Sequence, residues 1–124
     1  MLNLLIVGLG GFLGAIARFG VSSFLAARPG PGFPFGTLLV NVLGCLAIGA
    51  LMALLELEAL SANLRLFLAV GLLGSFTTFS TFGYETIELL RDGAYQPALW
   101  NVAGSLVLGL CAVLLGRALV HLAG

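Results

Sequence analysis

Residues 74–82 read Gly74-Ser75-Phe76-Thr77-Thr78-Phe79-Ser80-Thr81-Phe82, in the middle of a long apolar stretch. Five hydroxyl side chains, those of Ser75, Thr77, Thr78, Ser80 and Thr81, are interleaved with three phenylalanines. A membrane span gains nothing from so many polar groups unless they face protein or a polar pathway. Irregular backbone survives at that depth only where protein buries it or where it lines a cavity. A glycine-led polar break in an apolar run therefore points to an ion-binding or permeation site.

The rest of the chain fits a membrane setting. Of its 124 residues, 60% are hydrophobic and only 8% charged, and mean hydropathy is +1.18. An ordinary soluble domain carries about 25% charged residues. Four apolar segments emerge, each near the ~20 residues a bilayer span needs. They run from about Leu4 to Leu25, Thr37 to Leu57, Leu64 to Leu90 and Pro97 to Leu119, and make residues 1–124 a single four-span domain. The separators carry turn chemistry: Arg28-Pro29-Gly30-Pro31-Gly32, Glu58 to Asn63, and Arg91-Asp92-Gly93. No basic segment precedes the first apolar run, which argues against a cleaved signal peptide.

Charge placement bears on assembly. With four spans, Arg65 and Arg117 fall on one side of the membrane and Arg28 and Arg91 on the other, with Arg18 inside the first span. The Lys/Arg excess that orients a membrane chain is missing. Insertion in both directions, and hence an antiparallel homodimer, is the natural expectation. Zero formal net charge gives no reason to expect a nucleic-acid partner. Small residues four apart, such as Gly10 and Gly14, Ser105 and Gly109, and Ala112 and Gly116, predict close helix packing.

Candidate site residues are the polar and aromatic groups inside the spans. Arg18 is costly at its depth unless it snorkels or flanks an aqueous vestibule. Asn41, one turn after Thr37, offers amide donors suited to an anion or to an interhelical bond. Phe79 and Phe82, three apart, share a helical face, and their electropositive ring edges can meet a small anion. Thr81 adds a hydroxyl beside them. Glu85 lies deep in the third span, and Asn101 and Ser105 sit one turn apart on the fourth. A break over Gly74 to Thr77 would free backbone carbonyls able to hold a cation. Cys45 and Cys111 have no metal-ligand spacing and read as packing residues. Gly8 to Gly14 superficially resembles a nucleotide-binding loop, but no strand precedes it. No catalytic constellation exists, so no enzyme is expected. A proton-coupled drug exporter of four spans would need a carboxylate in the first span, where Arg18 stands instead.

Four motifs together resemble the Fluc/CrcB family of small fluoride channels. They are Gly10 to Phe19, Gly36 to Gly44 with Thr37 and Asn41, Gly71 to Phe82 continuing to Glu85, and Asn101 to Ser105. The resemblance implies an all-helical channel in the inner or plasma membrane, with the third helix interrupted and two chains antiparallel. It implies passive fluoride export through pores lined by Asn41, Phe79, Phe82, Thr81, Ser105, Arg18, Glu85 and Thr37. It also implies a structural sodium ion at the dimer centre, held by the carbonyls of Gly74 and Thr77.

Overall fold

A computed structural model of the chain describes residues 1–26 and 32–123. The arginine, proline and glycine of the first separator, residues 28–31, lie outside the described residues. Among the described residues, four segments are long and apolar enough to cross a membrane: Leu2–Ala26, Phe35–Glu56, Ala62–Arg91 and Tyr95–Ala123. The first two are the continuous helices α1 and α2, and the last is α5. The third is bent and divided. Its first part, α3 (residues 62–76), begins as Ala62–Arg65, widens into a π-helical stretch over Leu66–Leu73, and ends in one α turn, Gly74–Phe76. The second part, α4, is Phe79–Arg91.

Local chemistry explains the ends. Ser61 caps α3 by accepting a bond from the Leu64 amide at 3.3 Å. At the end of α4, Gly93 takes φ +73°, and the Ala94 amide closes back on the Leu89 carbonyl at 2.8 Å. A left-handed residue at that point is the ordinary way to end a helix, and glycine adopts it without steric cost.

Two glycine-mediated crossings build the scaffold. In the first, α1 lies on α3, where a Cβ at Gly10 would strike the Phe67 carbonyl and one at Gly14 the Leu72 carbonyl. In the second, α2 lies on α5, with Gly49 against the Val113 carbonyl and Gly116 against that of Leu46. The expected pairs Gly10/Gly14 and Ala112/Gly116 are buried at these crossings. Without a hydrophobic drive between helices in lipid, close backbone approach supplies the dispersion contacts that hold them.

The apolar core of one chain is thin. Among the described residues the buried apolar side chains are Val40, Leu51, Ala53, Ala98 and Ala112, while large apolar side chains on every span are exposed. Such a surface suits lipid and a protein partner, not water.

Candidate ion pathway at the broken span

The break is two residues long. Thr77 (φ −81°, ψ 157°) and Thr78 (φ −149°, ψ 117°) are extended. Gly74, the glycine expected to open the break, is still helical at φ −61°, ψ −33°. The helix therefore stops three residues later than the glycine suggests. β-Branched threonines tolerate extended backbone, and a neighbouring side chain replaces the lost hydrogen bonds. Asn41 on α2 donates its amide N–H to the Thr78 carbonyl at 2.9 Å, and its Oδ1 accepts from the Thr78 amide at 2.8 Å. This reciprocal pair treats Asn41 as a substitute strand for the broken backbone. Leaving the Thr78 amide unpaired would cost about 1–3 kcal/mol.

Asn41 belongs to a ladder on one face of α2, with Thr37, Asn41 and Gly44 at spacings of four and three. Thr37 is buried and donates its hydroxyl to Glu85 Oε1 at 2.8 Å. Gly44 leaves room for the Thr77 methyl, which a Cβ there would strike. Thr77 turns its hydroxyl back to the Leu73 carbonyl at 3.1 Å. Thr78 caps α4: its Oγ1 accepts from the Thr81 amide at 3.3 Å and donates to Thr81 Oγ1 at 2.9 Å.

The Thr77 amide closes the last turn of α3 on the Leu73 carbonyl at 3.1 Å. The amide that would reach the Gly74 carbonyl, that of Thr78, bonds Asn41 instead. The Thr81 amide goes to the cap. Among the described residues, the carbonyls of Gly74 and Thr77 thus receive no hydrogen bond. Two helix ends of opposite polarity meet at the break: freed carbonyls at the end of α3 and unpaired amides at the start of α4.

The aromatic pair lies just beyond. The Phe79 and Phe82 rings are 5.6 Å apart at 43°. Phe79 is 83% exposed in the single chain, whereas Phe82 is half-buried. Thr81 is exposed beside them. A cleft of about 890 Å³ opens between the end of α1 and the start of α2, and reaches Ser22, Thr37 and Glu85. Arg18, half-buried, stands one turn before Ser22 and has no hydrogen bond or ion pair among the described residues.

The fold thus brings Thr37, Asn41, Thr81, Glu85, Phe79 and Phe82 together along α2 and α4. Ser105 stands apart on α5, and its hydroxyl is buried with no partner among the described residues, as are Glu85 Oε2 and Asn101 Oδ1. Thr86 is the residue that sequence reasoning passed over. Its hydroxyl accepts from the Asn101 amide at 2.9 Å and donates to the Phe82 carbonyl at 2.7 Å. The back-bond to the residue four earlier is foreseeable for a helical threonine. Its pairing with Asn101 on another helix is not.

Four spans long and apolar enough to cross a membrane, one broken by a polar gap and tied to its neighbour through a side-chain amide, mark a small membrane protein. A family model described as CrcB-like protein, Camphor Resistance (CrcB), matches residues 5–117. The chain is 48% identical over 117 residues to a protein of Chloroflexus aurantiacus named fluoride-specific ion channel FluC, covering 94% of this chain and 93% of that one. Proteins of the same name from Shewanella frigidimarina and Shewanella baltica are 45% and 48% identical over 120 residues, 97% of each chain. The chain belongs to the CrcB/Fluc family, as its four motifs indicated, and these relatives are named as channels, not enzymes.

Proposed function

We propose that this chain is a fluoride channel working as an antiparallel, dual-topology homodimer in the inner or plasma membrane. Fluoride enters cells as the weak acid HF and dissociates inside, so a passive pore suffices to return the anion down its gradient. The observation that carries the reading is the two-residue break, pinned by Asn41 and followed at once by the Phe79–Phe82 pair.

In this reading fluoride gathers in the cleft that reaches Thr37 and Glu85, attracted by the Arg18 guanidinium, which has no hydrogen bond or ion pair among the described residues. It then passes Asn41 and the edges of Phe79 and Phe82, where electropositive ring rims replace part of its water shell. Thr81 and Ser105 offer hydroxyl donors along the way. The second amide hydrogen of Asn41 remains available, since only one is used by the Thr78 carbonyl. The thin packing of α4 and the exposure of Phe79 support a partner chain completing each pathway.

The carbonyls of Gly74 and Thr77 are hard oxygen donors without a hydrogen bond, which fits a sodium ion shared with the equivalent pair of a second chain. When bound, that ion would supply positive charge against which the freed helix ends of both chains are neutralised. Those carbonyls are left free because the amides four residues on, those of Thr78 and Thr81, are taken by Asn41 Oδ1 and Thr78 Oγ1.

The test is flux from liposomes loaded with fluoride, chloride or a lipophilic cation. Rapid fluoride release with chloride retained is expected, and release of the cation alone would replace the reading with that of a drug exporter. Reporters fused to the C-terminus should signal from both sides of the membrane, because no Lys/Arg excess fixes the direction. A single orientation would remove the antiparallel dimer.

A further inference from the structure

Asn101 is fully buried at the contact of α5 with α4. Its amide donates to Thr86 Oγ1 at 2.9 Å. Thr86 has one hydroxyl hydrogen, and it is spent on the Phe82 carbonyl at 2.7 Å. The direction of the chain is therefore fixed: Asn101 N–H to Thr86 O–H to Phe82 C=O. Bonds in series polarise one another and strengthen in a medium of low dielectric constant. Among the described residues this is the only side-chain hydrogen bond joining α4 to α5. The residue before Thr86, Glu85, is tied to α2 through Thr37. Consecutive residues of α4 are thus held to two different helices, which fixes the rotation of α4 about its own axis.

That rotation decides where Phe82 points. The relay ends on the Phe82 carbonyl, one turn before Thr86 on the same helix, so it ties the turn that carries the Phe82 ring to α5. Apolar side chains at 86 and 101 could fill the same contact without any polar group in the membrane, where such groups carry a cost. A polar pair kept there, with Asn101 Oδ1 and Ser105 Oγ left unpaired beside it, indicates a requirement of direction beyond packing.

We propose that Asn101 and Thr86 are positioning residues that set the orientation of the Phe82 ring, and through it discrimination between fluoride and larger anions. The inference rests on the channel reading above for its functional half and on geometry alone for its structural half. Thr86→Val keeps the shape and deletes both bonds. Asn101→Leu keeps the approximate volume and deletes the donor. Each should lower fluoride flux per folded dimer about tenfold, the equivalent of one buried hydrogen bond, and raise chloride leak. Thr86→Ser, which retains the hydroxyl, should stay within about twofold of the parent, well under the effect of losing one such bond. The double variant Thr86→Val with Asn101→Leu should be no worse than either single one, because both cut the same relay.

A second readout does not depend on flux. 4-Fluorophenylalanine placed at position 82 should give one narrow fluorine resonance in the parent and in Thr86→Ser. In Thr86→Val and Asn101→Leu it should shift and broaden as the ring samples other orientations. Unchanged resonances in both variants overturn the positioning role, as does an additive loss in the double variant. If the resonance moves while the parent protein carries no fluoride, the relay stands as ring positioning and the channel reading is what fails. If the resonance moves and the fluoride-to-chloride ratio does not, the selectivity role is overturned.

Discussion

The two halves of the third span occupy one run of sequence but are held by opposite means. Residues 62–76 press against α1 through glycines, backbone against backbone, and contribute almost no polar contact until their last turn. Phe79–Arg91 makes no such close approach. It is suspended from its neighbours by side-chain bonds: Asn41 at its start, Thr37 to Glu85 on one side and Asn101 to Thr86 on the other. The first half is a platform whose position follows from shape. The second carries the proposed site; its position follows from donor and acceptor matching, and it leaves Phe79 uncovered. Packing errors should therefore destroy the first half outright, whereas lost hydrogen bonds in the second should impair transport with assembly preserved.

The largest effect is expected at Gly14. Gly14→Val forces a side chain into the Leu72 carbonyl, and the crossing must separate, at a cost of roughly 3 kcal/mol or more. Size-exclusion chromatography in detergent should show loss of the monodisperse species. A well-behaved Gly14→Val protein would show that α3 is not held by close approach, and the contrast between the halves would disappear.

Next comes Asn41→Asp. A carboxylate can still accept from the Thr78 amide but has nothing to donate to the Thr78 carbonyl, and its charge repels an approaching anion. Fluoride flux should fall about a hundredfold, the effect of ~3 kcal/mol from an unpaired, repelled group, while the elution profile stays that of the parent. Equal flux in the two proteins would assign Asn41 to packing alone.

A smaller loss is expected at the aromatic pair. Phe79→Ile and Phe82→Ile keep bulk and remove the ring quadrupole, and each should reduce flux about tenfold, near the upper end of what a ring contributes beyond its area. Phe76→Ile, on the far side of the break, should stay within about twofold because its ring is only packing material. Three equal losses of assembly with unchanged flux per folded dimer would erase the distinction and leave the rings as core.

The smallest effect belongs to the ends. Glu56→Gln removes the bidentate pair with Arg117, 2.7 and 2.9 Å, which joins the end of α2 to α5 at an exposed position. Its loss should leave the thermal unfolding temperature almost unchanged, as expected of an exposed ion pair, with flux unaffected in the same liposome assay.

What was legible in the sequence follows the same division. The spans could be read because length and apolarity decide them, and they differ from the observed helices by only a few residues at each end. The break could be read because hydroxyls in a membrane run are costly. Its position could not. Gly74 looks like the hinge by residue type, but the chain opens at Thr77–Thr78, where Asn41 supplies the missing partners from 37 residues away. Glycine permits an irregular backbone, but where the irregularity falls depends on which amides find a substitute acceptor, and that is a tertiary fact. Asn41, Thr37 and Glu85 could be named individually as polar residues inside spans. That Thr37 and Glu85 would meet, and that Thr86 would carry Asn101 to Phe82, required the register between helices.

The widened helix over Leu66–Leu73 has a consequence for how this chain can vary. An i→i+5 stretch closes each hydrogen-bonded turn over one more residue than an α-helix does. It therefore acts as a slack loop wound into a rod. A deletion there could be absorbed by tightening the winding, but the angular phase of everything downstream would then change. Gly71 could not keep facing α1 while Thr77 faced Gly44. The length of this segment is accordingly a timing element, setting the azimuth at which the chain reaches the break.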